Sequence, residues 1–262
     1  MNGWDAYEER MRVRGKTRRE TALQREQRFV TDKLRHSLSY HHAVVDDEER
    51  EVGIINSDNL DTKLIYSLPG EDIRHGAYVE WMDQHWLVIE KDYNTEVYTK
   101  AKMQQCNYLL KWIDKNHVIH EQWCVVEDGT KYLTGEYEDR NFIVTRGDSR
   151  IAITIARNAD TAKLGRLNRF LIDDLESGHM LAYALTKPLK FAGVYGEDGV
   201  YKFVMQEVNT TDDDNQELGI ADYYIHFSHE TDEDGRPLPA EPVSQITPDP
   251  YEETVNGRGN WL

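Results

Sequence analysis

The chain is poor in cysteine and has no long apolar segment. Its 262 residues include two cysteines, Cys106 and Cys124; a disulfide between them can form, but two cysteines are too few for the framework of a secreted mini-domain. No run approaches the roughly 20 apolar residues that a membrane span needs. The first residues also lack the apolar core of a signal peptide. We therefore expect a protein that stays in the cytoplasm, or in a particle assembled there, without a membrane partner.

Standard catalytic motifs are missing as well. The sequence contains no G-x-S-x-G, no G-x-x-x-x-G-K and no G-x-G-x-x-G, which excludes the usual nucleophile elbow and phosphate cradles. Neither cysteine lies in a recognisable nucleophile context. With 48 acidic residues, no pair of carboxylates stands out for acid–base catalysis. The sequence predicts a protein that is not an enzyme and has no cofactor.

Two clusters of potential metal ligands are weak candidates. His117, His120 and Cys124 lie close in sequence, but on a strand His120 and Cys124 face one side and His117 the other. A tetrahedral zinc site also needs a fourth ligand, and none is evident. The acidic segment 212–217 offers many oxygen ligands but lacks the spacing of a Ca²⁺ loop. We expect no metal site, and a solvated loop at 212–217.

Charge is distributed unevenly along the chain. The formal net charge is −17, yet residues 1–36 carry ten Lys or Arg against six Asp or Glu. The basic cluster in residues 10–19 could contact phosphates, but it could also pair with an acidic neighbouring subunit, which we favour because the body is acidic. The proposed subunit-interface residues in this arm are Arg10, Arg12, Arg14, Arg18 and Arg19.

The pattern of apolar residues predicts a mostly β protein. Trp4–Arg35 has a thin apolar stripe at helical spacing (Leu23, Phe29, Val30, Leu34), which predicts a helical arm. From Tyr40, short alternating segments separated by Asn, Asp, Gly and Pro predict a small β-barrel or sandwich. The predicted divisions are a helical arm at 1–38, a β-barrel-like connector domain at 39–138, a second, Ig-like β-sandwich region at 139–227 and an extended tail at 228–262.

The C-terminal segment is acidic and rich in proline. Five of the seven prolines lie after Gly235, so we expect an extended or polyproline-like tail that does not fold alone. Trp261 near its end is either a loose aromatic or an apolar anchor that inserts into a neighbouring subunit. The latter interpretation makes Trp261 a candidate interface residue.

The segment from Leu64 to Trp112 is the most distinctive. It contains a strand, a turn at His75-Gly76, a hairpin formed by Tyr78–Trp81 and Trp86–Val88, and the strand region Met103–Trp112. This pattern resembles the small β-barrel proteins of tailed-bacteriophage necks, which act as head–tail connectors or head-closure proteins. The residues expected in the barrel core or at its rim are Trp81, Trp86, Cys106 and Trp112.

The resemblance implies a non-enzymatic virion protein in the phage neck. Such a protein forms a ring, closes the filled head and docks the tail. Its partners would be further copies of itself, the portal or adaptor ring and tail proteins, with passing contact to genomic DNA. Two alternatives remain open: a carbohydrate- or receptor-binding module of a tail tip, suggested by the Trp and Tyr content, and a metal-dependent hydrolase using His117 and His120.

Overall fold

The structure is a computed structural model and describes residues 3–4, 6–8, 17–57, 59–128, 150–173, 179–190, 193–231 and 237–239. It confirms the mostly β fold class. An N-terminal helix precedes two barrel-like sheets. The predicted interface residues Arg10, Arg12, Arg14 and Trp261 lie outside the described residues. In the described residues, no helix is long and apolar enough to cross a bilayer.

The first sheet is a closed six-stranded antiparallel barrel in the order β1-β2-β3-β6-β5-β4. It closes where Val44 and Val45 of β1 pair with Glu80 and Val79 of β4. Two-residue hairpin turns with positive φ at both positions, such as Met82-Asp83, match the twist of the flanking strands. The strands are β1 Tyr40–Val45, β2 Glu48–Asn56, β3 Thr62–Ser67, β4 Tyr78–Trp81, β5 Gln84–Asp92 and β6 Lys100–Gln105.

The second sheet has seven strands in the order β10-β11-β13-β9-β8-β7, with β12 paired to β13. It curls until its edge strands face each other. The Tyr108 hydroxyl of β7 bridges the edges, because it donates to the Leu171 carbonyl of β10 at 3.2 Å and accepts from the Asp173 amide at 3.3 Å. The strands are β7 Tyr108–Ile113, β8 Ile119–Asp128, β9 Arg150–Ala156, β10 Arg169–Asp173, β11 Met180–Leu189, β12 Val194–Tyr195 and β13 Asp198–Val208.

Each sheet encloses its own apolar core. Alternation along the strands places Val52, Ile65 and Met103 inside the first barrel, and Ile153, Phe170 and Phe203 inside the second. The boundary between the sheets falls between Gln105 and Tyr108, because β7 and β8 hydrogen-bond into the second sheet. It therefore differs from the predicted division at 138/139, which would leave β7 and β8 in the first domain.

The helix and the tail also depart from the predicted pattern. Helix α1 spans Arg18–Arg35, and short helical pieces lie at residues 3–4 and 6–8. Phe29, assigned to the apolar stripe, is half exposed. Just before the predicted tail at 228–262, a short helix α2 (Tyr223–His226) leads into β14 (Phe227–Thr231), which pairs with β15 (Pro237–Pro239) of the tail. Residues 240–262 lie outside the described part of the chain.

The acidic loop after β13 is not fully solvated as predicted, because Asp214 is buried in an ion pair. Its side chain is 0% exposed and accepts from the Arg169 guanidinium at 2.8 and 2.9 Å. It also accepts from the backbone amides of Thr211 at 2.8 Å and Asp222 at 2.9 Å. Burial opposes ionisation of Asp214, but these four hydrogen bonds outweigh it and lower its pKa. The loop therefore serves to fasten the chain after β13 onto β10.

We predict that Asp214→Asn destabilises the second barrel while Asp212→Asn does not. The amide of Asn would direct hydrogens at groups that are already donors, and Arg169 would keep only one of its two carboxylate partners, Asp222. Removing one member of a buried ion pair costs about 3–5 kcal/mol, whereas a surface change such as Asp212→Asn stays within about 0.5 kcal/mol. Urea unfolding at pH 7 measures both free energies, and equal stability of the two variants would contradict the assignment.

The Asp214–Arg169 ion pair also predicts that the stability of the protein depends on pH in the acid range. Because the folded-state pKa of Asp214 is lowered, its stabilisation is present above the unfolded pKa of about 3.9 and is lost as the pH falls through the folded value. The difference in unfolding free energy between wild type and Asp214→Asn should therefore shrink below about pH 4. Urea titrations between pH 7 and pH 3 measure it, and a constant difference would refute this linkage.

Candidate functional site

Helix α1 starts at a capping box formed by Thr17 and Glu20. The Thr17 hydroxyl accepts from the Glu20 amide at 3.1 Å, and the Glu20 carboxylate accepts from the Thr17 amide at 3.3 Å. One face of the helix is half buried, but no residue of the helix is fully buried. At its C-terminal end Leu34 lies over Gly53 of β2 so closely that an added Cβ would come 2.5 Å from Leu34 Cδ1. The helix thus rests on the barrel surface.

The described arginines of the arm differ in their contacts. Arg18 is exposed to solvent. Arg19 donates to Glu96, in the loop between β5 and β6, at 2.5 Å, and Arg35 donates twice to Glu51 of β2 at 2.7 and 2.9 Å. The helix therefore binds its own barrel through the kind of ion pair predicted for a neighbouring subunit. Exposed pairs of this kind contribute about 0–1 kcal/mol each, so they hold the helix weakly.

The four residues expected in or around the barrel core occupy three different places. Trp86 lies in the core of the first barrel with Trp81 beside it, their ring centroids 6.0 Å apart. Trp86 Nε1 is buried and has no hydrogen-bond partner among the described residues. Cys106 lies between the two sheets, and Trp112 lies in the core of the second sheet. Trp112 differs from the expectation because β7 pairs into the second sheet.

At one point of the junction, the two barrels are in direct backbone-to-backbone contact. The Gly199 amide, at the start of β13, donates to the His75 carbonyl at 2.9 Å. Gly76 has φ +84° and Gly199 has φ +138°, and a Cβ on Gly76 would overlap the carbonyl oxygen of Gly199. The Gly199 carbonyl also accepts from the Arg157 amide at 3.0 Å. Only glycine permits both the positive φ and this approach.

A buried polar network crosses the same junction. The Tyr78 hydroxyl of β4 donates to the Trp123 carbonyl of β8 at 2.5 Å and accepts from Gln122 Nε2 at 2.9 Å. The Gln122 side-chain oxygen in turn accepts from Asn158 Nδ2 at 2.9 Å. Burial raises the pKa of Tyr78, so its hydroxyl stays protonated as the donor. A small apolar cluster that includes Leu87, Val125 and Val200 accompanies the network.

A cleft of about 660 Å³ opens at this junction, and we call it the junction cleft. Trp123, half buried, lines it and stacks on His85 with ring centroids 4.3 Å apart and planes 19° apart. Burial raises the pKa of the Cys106 thiol, which also lines the cleft, to about 12, so this cysteine is not a thiolate nucleophile at neutral pH. The other polar lining residues are Asp61, Gln84, Gln104, Gln105, Asn107 and Glu127.

The structure does not bring together the three predicted metal ligands. Cys124 lies in the core of the second barrel. His117, in the turn before β8, has its Nδ1 3.2 Å from that of His226. His120 stacks on Trp112 and lies between Asp114 and Asp160, at 3.4 and 3.5 Å. Within the described ranges, no group of three or more His, Cys, Asp or Glu side chains could hold a metal ion.

The contacts of Asp114 show that the carboxylates beside His120 stabilise the local fold. It accepts hydrogen bonds from the backbone amides of Val118 and Asn116, at 3.0 and 2.8 Å, and so shapes the turn between β7 and β8. The Val118 amide is the largest cause, and with the Asn116 amide and His120 it lowers the pKa of Asp114 to about 2 against the opposing effect of burial. The carboxylates around His120 are thus occupied within the chain.

The comparison with protein families connects the barrel to phages. The model of the YomX N-terminal domain, a phage-derived family, matches residues 26–105. This range contains the C-terminal half of α1 and all six strands of the closed barrel, but less than a third of the 262-residue chain. No curated protein matches the chain, and no solved structure does. The second barrel lies outside the matched range.

Sequence reasoning did not identify the junction. The run Met103-Gln104-Gln105-Cys106-Asn107 reads as the continuation of a strand, yet it is where the chain leaves the first barrel for the second. Gly76 and Gly199 read as ordinary turn glycines. Their separation by more than 120 positions in the sequence gives no indication that their backbones touch. The available signal was the run of side-chain amides, Gln104, Gln105 and Asn107, directly before the apolar strand β7.

We predict that Gly76→Ala disrupts the junction and that Gly70→Ala does not. Both glycines have a positive φ, +84° and +91°, but nothing lies within 4 Å of a Cβ on Gly70. The strain of a positive φ alone costs about 1 kcal/mol, and the clash with Gly199 should raise the cost for Gly76 to about 3 kcal/mol or more. Urea unfolding measures both, and equal losses would show that the contact is unimportant.

Proposed function

We propose that this chain is a non-enzymatic structural protein of the phage virion, located at the head–tail interface. In this role it forms a ring that closes the filled head and docks the tail. The observation that carries the proposal is the match of residues 26–105 to a phage-derived domain family, since this range includes the whole closed barrel and the helix end that packs on it. Its partners are the portal or adaptor ring, tail proteins and further copies of itself.

The connection between the two barrels supports a ring subunit. A ring closes only when the two contact surfaces of each subunit keep a fixed angle. The Gly199–His75 hydrogen bond and the Tyr78–Gln122–Asn158 network join the barrels by short, buried contacts at this junction. Because the two barrels are joined in this way, the subunit can contact one neighbour on each side while the angle between its two contact surfaces stays fixed.

The charge distribution supports head-to-tail contact between copies. The basic arm and the acidic body have opposite signs, and such complementarity orients partners as they meet. Arg18 is exposed and available to a neighbour, and the Arg19–Glu96 pair is an example of arm-to-body contact within one chain. An acidic surface beside the channel would let genomic DNA pass without binding, because phosphates need clustered cations.

We predict that purified phage particles contain the protein in a low copy number, scaled to the major capsid protein. If it closes the head, the same copy number should persist in heads that lack tails. Quantitative mass spectrometry of intact particles and of tailless heads measures both. A copy number that follows tails instead would contradict the head–tail assignment, and absence from particles would contradict the virion role.

We also predict that reversing the arm charge prevents incorporation into particles. The variant Arg18→Glu/Arg19→Glu would repel the acidic body of a neighbour, and a loss of about 1.4 kcal/mol of contact free energy suffices for a tenfold drop in incorporation. The control is Lys202→Glu, at an exposed position of β13 outside the arm. The readout is copy number per particle after complementation. Equal incorporation of both variants would refute the role of the arm.

A further inference from the structure

We propose that the junction cleft binds a neutral saccharide. The inference goes beyond the structural role and does not depend on where in the particle the protein lies. It rests on the size and position of the cleft, on the hydrogen-bonding groups that line it, on Trp123 and on the sign of its charges.

The cleft has the size and location of a small-molecule site. Its volume of about 660 Å³ falls within the range of about 300–1,000 Å³ found for ligand pockets, which occur preferentially where two domains meet. It is formed by the start of β5 and the end of β6 on one side, by β8 on the other, and by the link between β6 and β7. A ligand there would contact both barrels at once.

Amide side chains dominate the polar lining. Gln105 Nε2 donates to Gln84 Oε1 at 2.8 Å, and Gln104 Nε2 donates to Glu127 Oε1 at 3.2 Å. Within the described part of the chain, these bonds leave Gln84 Nε2 and Gln105 Oε1 without a protein partner. A donor and an acceptor on two bonded amides match adjacent sugar hydroxyls, because each hydroxyl both donates and accepts.

Trp123 adds an apolar surface to the cleft, and contacts with neighbouring residues fix its position. His85 stacks on its ring, and the Tyr78 hydroxyl bonds its backbone carbonyl. On the next residues of the strand, the Asn107 side chain donates to the Val126 carbonyl and accepts from the Val126 amide, both at 2.8 Å. The wall is thus ordered before a ligand arrives, which lowers the entropic cost of binding. An indole beside amides suits a pyranose, which has apolar C–H faces and a polar rim.

The charges in the cleft select against anions. Among the described residues that line it, the charged ones are Asp61 and Glu127, and none is Lys or Arg. Phosphates and nucleic acids require cationic contacts, and carboxylates there would repel them. The hydroxyls of an uncharged mono- or disaccharide can donate hydrogen bonds to the carboxylates and can both donate to and accept from the amides.

The test is a binding measurement on the full chain with defined sugars. Saturation-transfer NMR and titration calorimetry would use glucose, galactose, mannose, N-acetylglucosamine, maltose, lactose and chitobiose, with glucose 6-phosphate as the anionic comparison. We expect at least one neutral sugar to bind with a Kd of about 1 mM or lower, which corresponds to about −4.1 kcal/mol. Glucose 6-phosphate should bind more weakly than glucose.

The variant Gln84→Ala/Gln105→Ala tests the site itself. Both side chains lie at the surface of the junction, so the fold should persist, as circular dichroism can verify. We expect at least about tenfold weaker binding, since two hydrogen bonds to the ligand are lost. The control is Gln206→Ala, at an exposed position of β13 outside the cleft lining, which should bind as wild type does.

Three results would overturn the proposal. The first is that no neutral sugar of the panel binds at about 10 mM, far above the expected Kd. The second is that glucose 6-phosphate binds as tightly as the neutral sugar that binds best, and the third is that the double variant binds as tightly as Gln206→Ala. None of these results bears on the copy number of the protein in particles. Failure of the saccharide site is therefore distinguishable from failure of the virion assignment.

Discussion

The close approach of Gly76 to Gly199 is the constraint on which the arrangement of the two barrels depends. Each barrel encloses its own apolar core, so each could bury that surface without the other. What fixes their mutual orientation is a backbone hydrogen bond to His75, a buried Tyr78–Gln122–Asn158 network and a few small apolar side chains. Backbone contacts of this kind tolerate little displacement, because a Cβ on Gly76 would overlap the carbonyl oxygen of Gly199 in the other barrel.

The junction also determines where the polar cleft lies. Gln84 ends the β4–β5 turn and Gln105 ends β6, and these positions meet β8 only because the barrels are joined at this angle. Trp123 belongs to the second sheet, yet its carbonyl is bonded by Tyr78 of the first. The helix, by contrast, rests on the barrel through Leu34 and surface ion pairs, so it is held more weakly than the two barrels hold each other.

Much of the secondary structure follows from local pattern. Short alternating runs separated by Gly, Pro, Asn and Asp are typical of strands and turns, and the structure confirms the mostly β class that they predict. The capping pair Thr17 and Glu20 is likewise readable from spacing. Phe29 differs from the prediction because it is half exposed on α1, where Lys33 Nζ lies 4.5 Å from the centre of its ring. Asp214 was misassigned because its partner, Arg169, lies 45 positions earlier.

The sequence by itself determined a mostly β chain with few cysteines, a basic helical arm on an acidic body, and no standard catalytic motif, because these features depend on composition and on residues close along the chain. Only the tertiary structure decided that β7 and β8 belong to the second sheet, that Trp112 and Cys106 leave the first core, and that His117, His120 and Cys124 separate. It also decided that a cleft forms beside Trp123. These outcomes depend on strand pairing and on contacts between residues far apart in the sequence, where local preferences carry no information.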